Sequence, residues 1–419
     1  MTVPIAIRTR RLSVMASSDM RSVVDWLVDG ARSTMQAHQM VAELCDRLVG
    51  CGIPLWRVAV FVRTLHPHIM GRRFIWRPGA EVEVREAAFD LLDTAEFQGS
   101  PVAKVFATGV PIRRRLADAD CPIDFAMLRE LRDEGVSDYL ASPLLFTDGE
   151  VHLATWTTRQ QGGFTDAQVE GIESIIAPFA RVAEIRALRR TASNLLDTYV
   201  GNNAGERILS GHIRRGDTEA IYAAIWLSDM RGFTLLADHL RPQTLVELLN
   251  QYFDCQVPTI LKHGGEVLKF MGDGLLAIFP IGSDSDPGEV CVRALAAAYE
   301  ARGNVAVVNQ PTRIEIGAVR FGLALHIGKV LYGNIGGGNR LDFTCIGPAV
   351  NLAARLEKLA AKLGRVIVAS DEFARHCGAE FQALGKFPLA GFAGEQNVFG
   401  ACDEASPPVS ATSHTSTEK

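Results

Sequence analysis

Two stretches of this chain place a carboxylate where a carboxylate can do chemistry. In Ala224-Ile225-Trp226-Leu227-Ser228-Asp229-Met230-Arg231-Gly232-Phe233-Thr234, an apolar strand-like run ends at Asp229 and passes through a glycine into a helix-like segment. In Val267 to Phe279, two apolar runs are joined at Gly272-Asp273-Gly274. Alone, the second stretch reads as a β-hairpin, because Asp-Gly is a tight-turn pair and glycine accepts positive φ without steric cost. Asp273 would then be a turn residue and nothing more. A second carboxylate at a strand end changes the reading, because Asp229 stands beside a helix start whose first N–H groups are free. Two such carboxylates suit Mg²⁺ held against a triphosphate.

A third stretch completes the pattern. In order, Ser228-Asp229-Met230-Arg231-Gly232-Phe233-Thr234, Lys269-Phe270-Met271-Gly272-Asp273-Gly274 and Asp342-Phe343-Thr344-Cys345-Ile346-Gly347-Pro348-Ala349-Val350-Asn351-Leu352-Ala353-Ala354-Arg355-Leu356-Glu357 resemble the signature blocks of class III nucleotidyl cyclases. Each block is weak alone; three in order at fitting spacing are specific. The resemblance covers about residues 219–402. It implies a ferredoxin-like α/β (α+β) catalytic domain that acts as a lyase on ATP, with two Mg²⁺ (or Mn²⁺) per active site on Asp229 and Asp273. It also places Gly232, Phe233 and Thr234 at the substrate, Asn351 on the ribose and Arg355 at the α-phosphate.

The reaction asks for such parts. Cyclisation is an in-line attack of the ribose 3′-hydroxyl on the α-phosphorus with pyrophosphate leaving, so the polyphosphate charge must be neutralised and the sugar held in line. Purine choice falls, by the resemblance, to Lys269, four residues before Asp273, and Thr344, seven before Asn351. Lys with Thr resembles the adenylate-forming subgroup, whereas guanylate-forming relatives carry Glu and Cys. Cys345 offers a guanylate reading by a one-residue slip, but the spacing to Asn351 opposes it, and Lys269 gives guanine's N1–H no acceptor. The resemblance further implies a homodimer with composite sites, Asp229 and Asp273 from one subunit, Lys269, Thr344, Asn351 and Arg355 from its partner. One departure stands out: relatives carry Leu-Lys-Gly where this chain has Leu389-Ala390-Gly391, which leaves the triphosphate-binding basic residue unassigned. Rival readings are a guanylate cyclase, a catalytically silent nucleotide-binding regulator, and a diguanylate synthase. The last is disfavoured by the lack of its Gly-Gly-Asp/Glu-Glu-Phe hairpin.

The elements that must position these residues fit a two-domain chain. At 419 residues, 47% apolar and 22% charged, the composition is that of a globular protein with room for two or three cores. A net charge of −5 gives no basic excess to attract nucleic acid. Eight scattered cysteines without a CxxC pair argue against a zinc site and suit a reducing cytoplasmic location. No run approaches the roughly 18 apolar residues of a membrane span, and the charges within Met1 to Met15 do not suit a signal peptide.

Ahead of the cyclase-like half, residues 1–18 read as a tail and residues 19–49 as one amphipathic helix. Strands follow at Trp56–Val62 and Arg73–Trp76, a short helix after Ser100, strands at Asp138–Phe146 and Val151–Thr157, and an exit helix capped by Thr165. This layout over 19–185, with its Thr-Gly-Val-Pro and Phe-Thr-Asp-Ala-Gln segments, resembles a GAF-type regulatory domain for an unknown small-molecule or protein regulator. His66 and His68 read as a surface loop rather than a metal site, and Arg113-Arg114-Arg115 as a solvated loop. Residues 186–218 read as a helical linker able to pair with its copy, and 403–419 as a disordered tail. Within 219–402 the expected order is βααββαββαβ, with helices on one face of the sheet, a single helix from Pro242 to Leu261, and separate strands at Phe321 to His326 and Val330 to Asn334 on either side of Gly328.

Overall fold

A computed structural model describes residues 18–67, 69–309, 319–338 and 340–402. The expectations for Met1 to Met15, for His68 and for 403–419 lie outside those residues. The chain divides into two compact units, Met1–Leu195 and Leu196–Lys419.

The first unit runs α1 (Ser18–Val28), α2 (Ala37–Gly50), β1 (Arg57–Arg63), β2 (Ile69–Trp76), β3 (Glu83–Ala88), α3 (Ala95–Gln98), α4 (Pro101–Thr108), β4 (Ile112–Arg114), α5 (Ala126–Asp133), β5 (Asp138–Leu145), β6 (Val151–Thr158) and α6 (Asp166–Val200). Its strands form one antiparallel sheet in the order β3-β2-β1-β6-β5-β4. Val58, Val60 and Trp156 face α1, α2 and α6 on one side; Tyr139, Ala141 and Leu153 face α4 and α5 on the other. The single helix expected over 19–49 is two helices, because the chain turns at Gly30 and Ala31, both with positive φ. Thr165 does cap α6: its Oγ1 accepts from Gln168 N, and Gln168 Oε1 accepts from Thr165 N in return. The triple-arginine segment is not a solvated loop. Arg113 and Arg114 lie on β4, Arg113 paired with the fully buried Asp138 at 2.8 Å and Arg114 with Asp124 at 2.6 Å.

The second unit runs α7 (Asn202–Leu209), β7 (Thr218–Met230), α8 (Phe233–His239), α9 (Pro242–Asp254), α10 (Val257–Lys262), β8 (Glu266–Met271), β9 (Gly274–Ile281), α11 (Pro287–Val308), β10 (Phe321–Gly337), β11 (Arg340–Ile346), α12 (Pro348–Leu363), β12 (Ile367–Ser370), α13 (Asp371–Cys377), β13 (Phe381–Pro388) and β14 (Glu395–Ala401). Seven strands lie in the order β13-β14-β12-β10-β7-β9-β8, and β11 pairs with the far half of β10. Three expectations change here. Helices cover both faces: α9, α10, α11 and α13 pack on the side of Trp226, Phe279 and Leu323, while α7 and α12 pack on the other. Both sides of β7, β9 and β10 are apolar, so each needs a cover. The helix from Pro242 stops at Asp254 and restarts at Val257, where Pro258 cannot donate a helical hydrogen bond to the preceding turn. Strand β10 also runs unbroken through Gly328, a residue of close approach rather than of a turn: a Cβ there would lie 2.8 Å from that of Ala349 on α12.

Candidate active site

Asp229 is the penultimate residue of β7 and stands across from Gly274 on β9 and Gly322 on β10. Both neighbours are glycines for a spatial reason. A Cβ on Gly274 would meet Asp229 Oδ1 at 3.1 Å, and one on Gly322 would collide with the Arg231 guanidinium. Asp273 sits in the two-residue turn between β8 and β9, since Met271 pairs directly with Gly274. Positive φ in this turn falls on Gly272, at 69°, the first central position, so Gly274 is there for space and not for its dihedral. The turn thus places the Asp273 carboxylate beside that of Asp229. Burial, then the negative charges of Asp273 and Glu357, push Asp229 up to about 6, against the opposing pull of Arg231.

Arg231 and Glu357 are functional-site neighbours that the sequence reading did not pick out, although both lie within the quoted blocks. Arg231 Nη1 donates to the buried Glu357 Oε1 at 2.7 Å, and its backbone N–H to Arg320 O at 2.7 Å. This pair ties the end of β7 to α12. Beyond it, Gly232 with φ 75° caps the short α8, which begins with Phe233 and Thr234.

A second group lies on β8 and the β10–β11 ribbon. Lys269 Nζ meets Asp342 Oδ2 at 3.0 Å, and Asp342 and Thr344, two apart on β11, share a strand face. Thr344 is buried at 3% exposure and its Oγ1 has no hydrogen-bond partner among the described residues. Tyr332 on β10 donates its hydroxyl to Glu266 on β8 at 2.8 Å, which pins the ribbon over that strand. Cys345 turns the other way into an apolar cluster with Leu268 and Phe343, and burial pushes its thiol up to about 12.

The third group is on α12. Asn351 is exposed and Arg355 lies one turn further on the same side. Arg355 Nε donates to the carbonyl of Ala390 at 3.2 Å, so the segment that departs from the family pattern holds the arginine by its backbone. Among the described residues, no hydrogen bond or ion pair joins the Asp229–Asp273 pair to Lys269, Thr344, Asn351 or Arg355.

The carboxylate pair passes a chemical test for a divalent cation. Its donors are hard oxygens, and its mutual repulsion is what such a cation would relieve. Two carboxylates with further ligands from substrate phosphates are a usual Mg²⁺ set. No group of three or more His, Cys, Asp or Glu suited to a metal occurs among the described residues.

Residues 218–400 match the model of the adenylate and guanylate cyclase catalytic domain. Among curated proteins, the adenylate cyclase of Anabaena cylindrica is 30% identical over 157 residues, covering 36% of this chain and 30% of that protein. Adenylate cyclase 1 of Rhizobium meliloti (strain 1021) is 28% identical over 217 residues, 49% of this chain and 32% of its own length. The chain therefore spans about a third or less of the curated relatives it matches. Among solved structures, the adenylyl cyclase CyaB from P. aeruginosa is 27% identical, with 45% of this chain and 97% of that chain covered at a TM-score of 0.40. No helix among the described residues is long and apolar enough to cross a membrane.

Proposed function

We propose that residues 219–402 convert ATP to 3′,5′-cyclic AMP and pyrophosphate, as a homodimer with composite sites, under the control of a GAF-like domain over 19–185. The observation that carries the adenine reading is the buried Thr344 hydroxyl without a partner, two residues from the carboxylate that holds Lys269. A hydroxyl oxygen can accept from the adenine 6-amino group while an ammonium donates to N1; guanine presents the opposite pattern at both positions. Cys345 faces the apolar cluster, which weighs against the guanylate reading.

Asp229 and Asp273 would hold two Mg²⁺ or Mn²⁺ ions. Such ions neutralise polyphosphate charge and favour the ionised sugar hydroxyl. The chain's own groups do the rest. Gly232, Phe233 and Thr234 shape the phosphate side of the site, Asn351 holds the ribose in line, and Arg355 meets the charge that grows on the α-phosphate. Arg355 can do this only by leaving or sharing the Ala390 carbonyl, which a substrate phosphate, as the stronger acceptor, would accomplish.

The test is to incubate purified protein with ATP or GTP and Mn²⁺ or Mg²⁺ and to identify products by mass. Cyclic AMP from ATP is the expected result. Cyclic GMP alone would overturn the adenine assignment, and no cyclic product would favour the silent regulator.

A further inference from the structure

Within the first unit, a cavity of about 790 Å³ opens between the sheet, α6 and the segment from Gly30 to Gln36. Its size falls in the roughly 300–1,000 Å³ range of pockets that take organic ligands. The floor is apolar, made by Val60, Val62 and Phe74 from the sheet and Phe179 and Val182 from α6. The rim is basic: Arg32, Arg63, Arg72, Arg186, Arg189 and Arg190 line the cavity, and no Asp or Glu does.

Three of these arginines are already engaged. Arg32 pairs with Asp29 at 3.3 Å and Arg72 with Glu86 at 2.7 Å. Arg186 straps the covering segment to α6, donating to the carbonyls of Ala31 (3.1 Å), Thr34 (2.9 Å) and Met35 (3.1 Å) and to Thr34 Oγ1 (2.8 Å). Arg189 and Arg190 are exposed and form no ion pair among the described residues. Burial, and after it the charge of Arg189, hold Arg186 below its ordinary value. Thr64 also lines the cavity, and its Oγ1 is buried with no hydrogen-bond partner among the described residues. Apolar floor, uncompensated cations and an orphan hydroxyl converge on one space.

We propose that this cavity binds an amphipathic organic anion, its carboxylate or phosphate head at Arg189, Arg190 and Thr64 and its apolar body on Val60, Val62, Phe74, Phe179 and Val182. A neutral hydrophobe would leave the arginines uncompensated, and a small inorganic anion would leave the floor uncovered. Because α6 supplies both floor and rim, the ligand bears directly on that helix.

The probes are decanoate, decan-1-ol and acetate, titrated calorimetrically into the full chain below micelle-forming concentrations. Decanoate saturates at one site per chain; decan-1-ol binds about tenfold or more weakly, and acetate shows no saturation in the same range. Arg189→Ala with Arg190→Ala weakens decanoate about tenfold while decan-1-ol binding and the thermal melt stay unchanged, since both side chains are exposed. Thr64→Val gives a smaller loss of the same kind. Equal affinity for decanoate and decan-1-ol, or undiminished decanoate binding in the arginine variant, overturns the proposal. So does a wild-type chain that does not saturate with decanoate and whose association state shifts on the arginine substitutions, because the surface then seats a second copy.

Discussion

The Asp229–Asp273 pair and the Lys269–Asp342–Thr344 group lie in one sheet system and are in opposite electrostatic states. The first is two carboxylates set side by side, with Asp229 pushed up to about 6 and with Arg231 committed to Glu357. Its charge is unbalanced. The second is balanced within itself, because Lys269 already has the Asp342 carboxylate at 3.0 Å, and what it leaves unsatisfied is a neutral hydroxyl on Thr344. An unbalanced carboxylate pair selects a cation; a balanced group with one orphan neutral acceptor selects a hydrogen-bonding pattern. On the proposed reading, the contrast separates groups that would carry charge chemistry from groups that would choose a base.

The largest effect is expected where charge is unbalanced. Asp229→Ala or Asp273→Ala should lower turnover about a thousandfold or more, the scale of several kcal/mol lost when metal-borne charge stabilisation is removed. Circular dichroism should show the fold intact, because both side chains sit at strand ends and not in the core. Product assays at saturating Mn²⁺ check this; near-normal turnover in either variant would remove the carboxylates from the mechanism.

Next comes the question of whether the two groups serve one site from one chain or from two. Asp273→Ala and Asn351→Ala should each be nearly inactive alone. Mixed, they form heterodimers in which one site carries both lesions and the other none. With random exchange about half the dimers are mixed and one site in two is intact, so activity should recover to roughly a quarter of wild type. Failure to recover, with subunit exchange shown independently, would mean that each chain builds its own site.

The balanced group should respond through selectivity more than through rate. Lys269→Glu with Thr344→Cys gives guanine's N1–H an acceptor and takes the adenine-reading hydroxyl away, so the ATP-to-GTP ratio should fall about tenfold or more. Overall activity is expected to drop as well, because Asp342 then faces a carboxylate in place of an ammonium. Side-by-side kcat/KM values for the two nucleotides decide it, and a ratio that does not move would take base reading away from these positions.

How much of this was legible beforehand differs between the same two regions. Asp229 and Asp273 were readable because strand ends and an Asp-Gly turn are local signals. The chemistry of the pair was not readable, since its unusual electrostatics depend first on burial, then on Asp273, and then on Glu357, 128 positions from Asp229, none of which shows before the chain is packed. Asp342 was quoted yet passed over, because its partner Lys269 is 73 residues away and only the curl of the ribbon joins them. Helix limits failed where glycine and proline acted against the periodic pattern, as at Gly30 and Pro258. Gly328 misled in the opposite sense: it looked like a break, and the close approach of α12 is what requires it. Helix placement on both sheet faces followed from alternate residues of β7 and β10 being apolar on both sides, a pattern visible in the sequence and underweighted there.

The smallest expected effect isolates the unbalanced charge without any substrate. Asp229 has a folded value of about 6, above the 3.8 of an unperturbed carboxyl, so the folded state favours its protonated form. The resulting penalty on folding is therefore full above about pH 6, shrinks as the pH falls toward 4, and is absent below that. Asp229→Asn removes it. After discounting for the solvent that reaches this half-buried group, the penalty is about 1 kcal/mol, which corresponds to a melting shift of about 2–4 °C. Metal-free Asp229→Asn should thus melt above the wild type at pH 7.5 and level with it at pH 4. Adding Mn²⁺ should invert the order at pH 7.5, because the wild type gains about 2.7 kcal/mol at a hundredfold excess over Kd and the variant has lost a ligand. Differential scanning calorimetry across pH, with and without Mn²⁺, reads both effects. If the variant is less stable at neutral pH without metal, the two carboxylates are not in repulsion, and the contrast between the two groups does not hold.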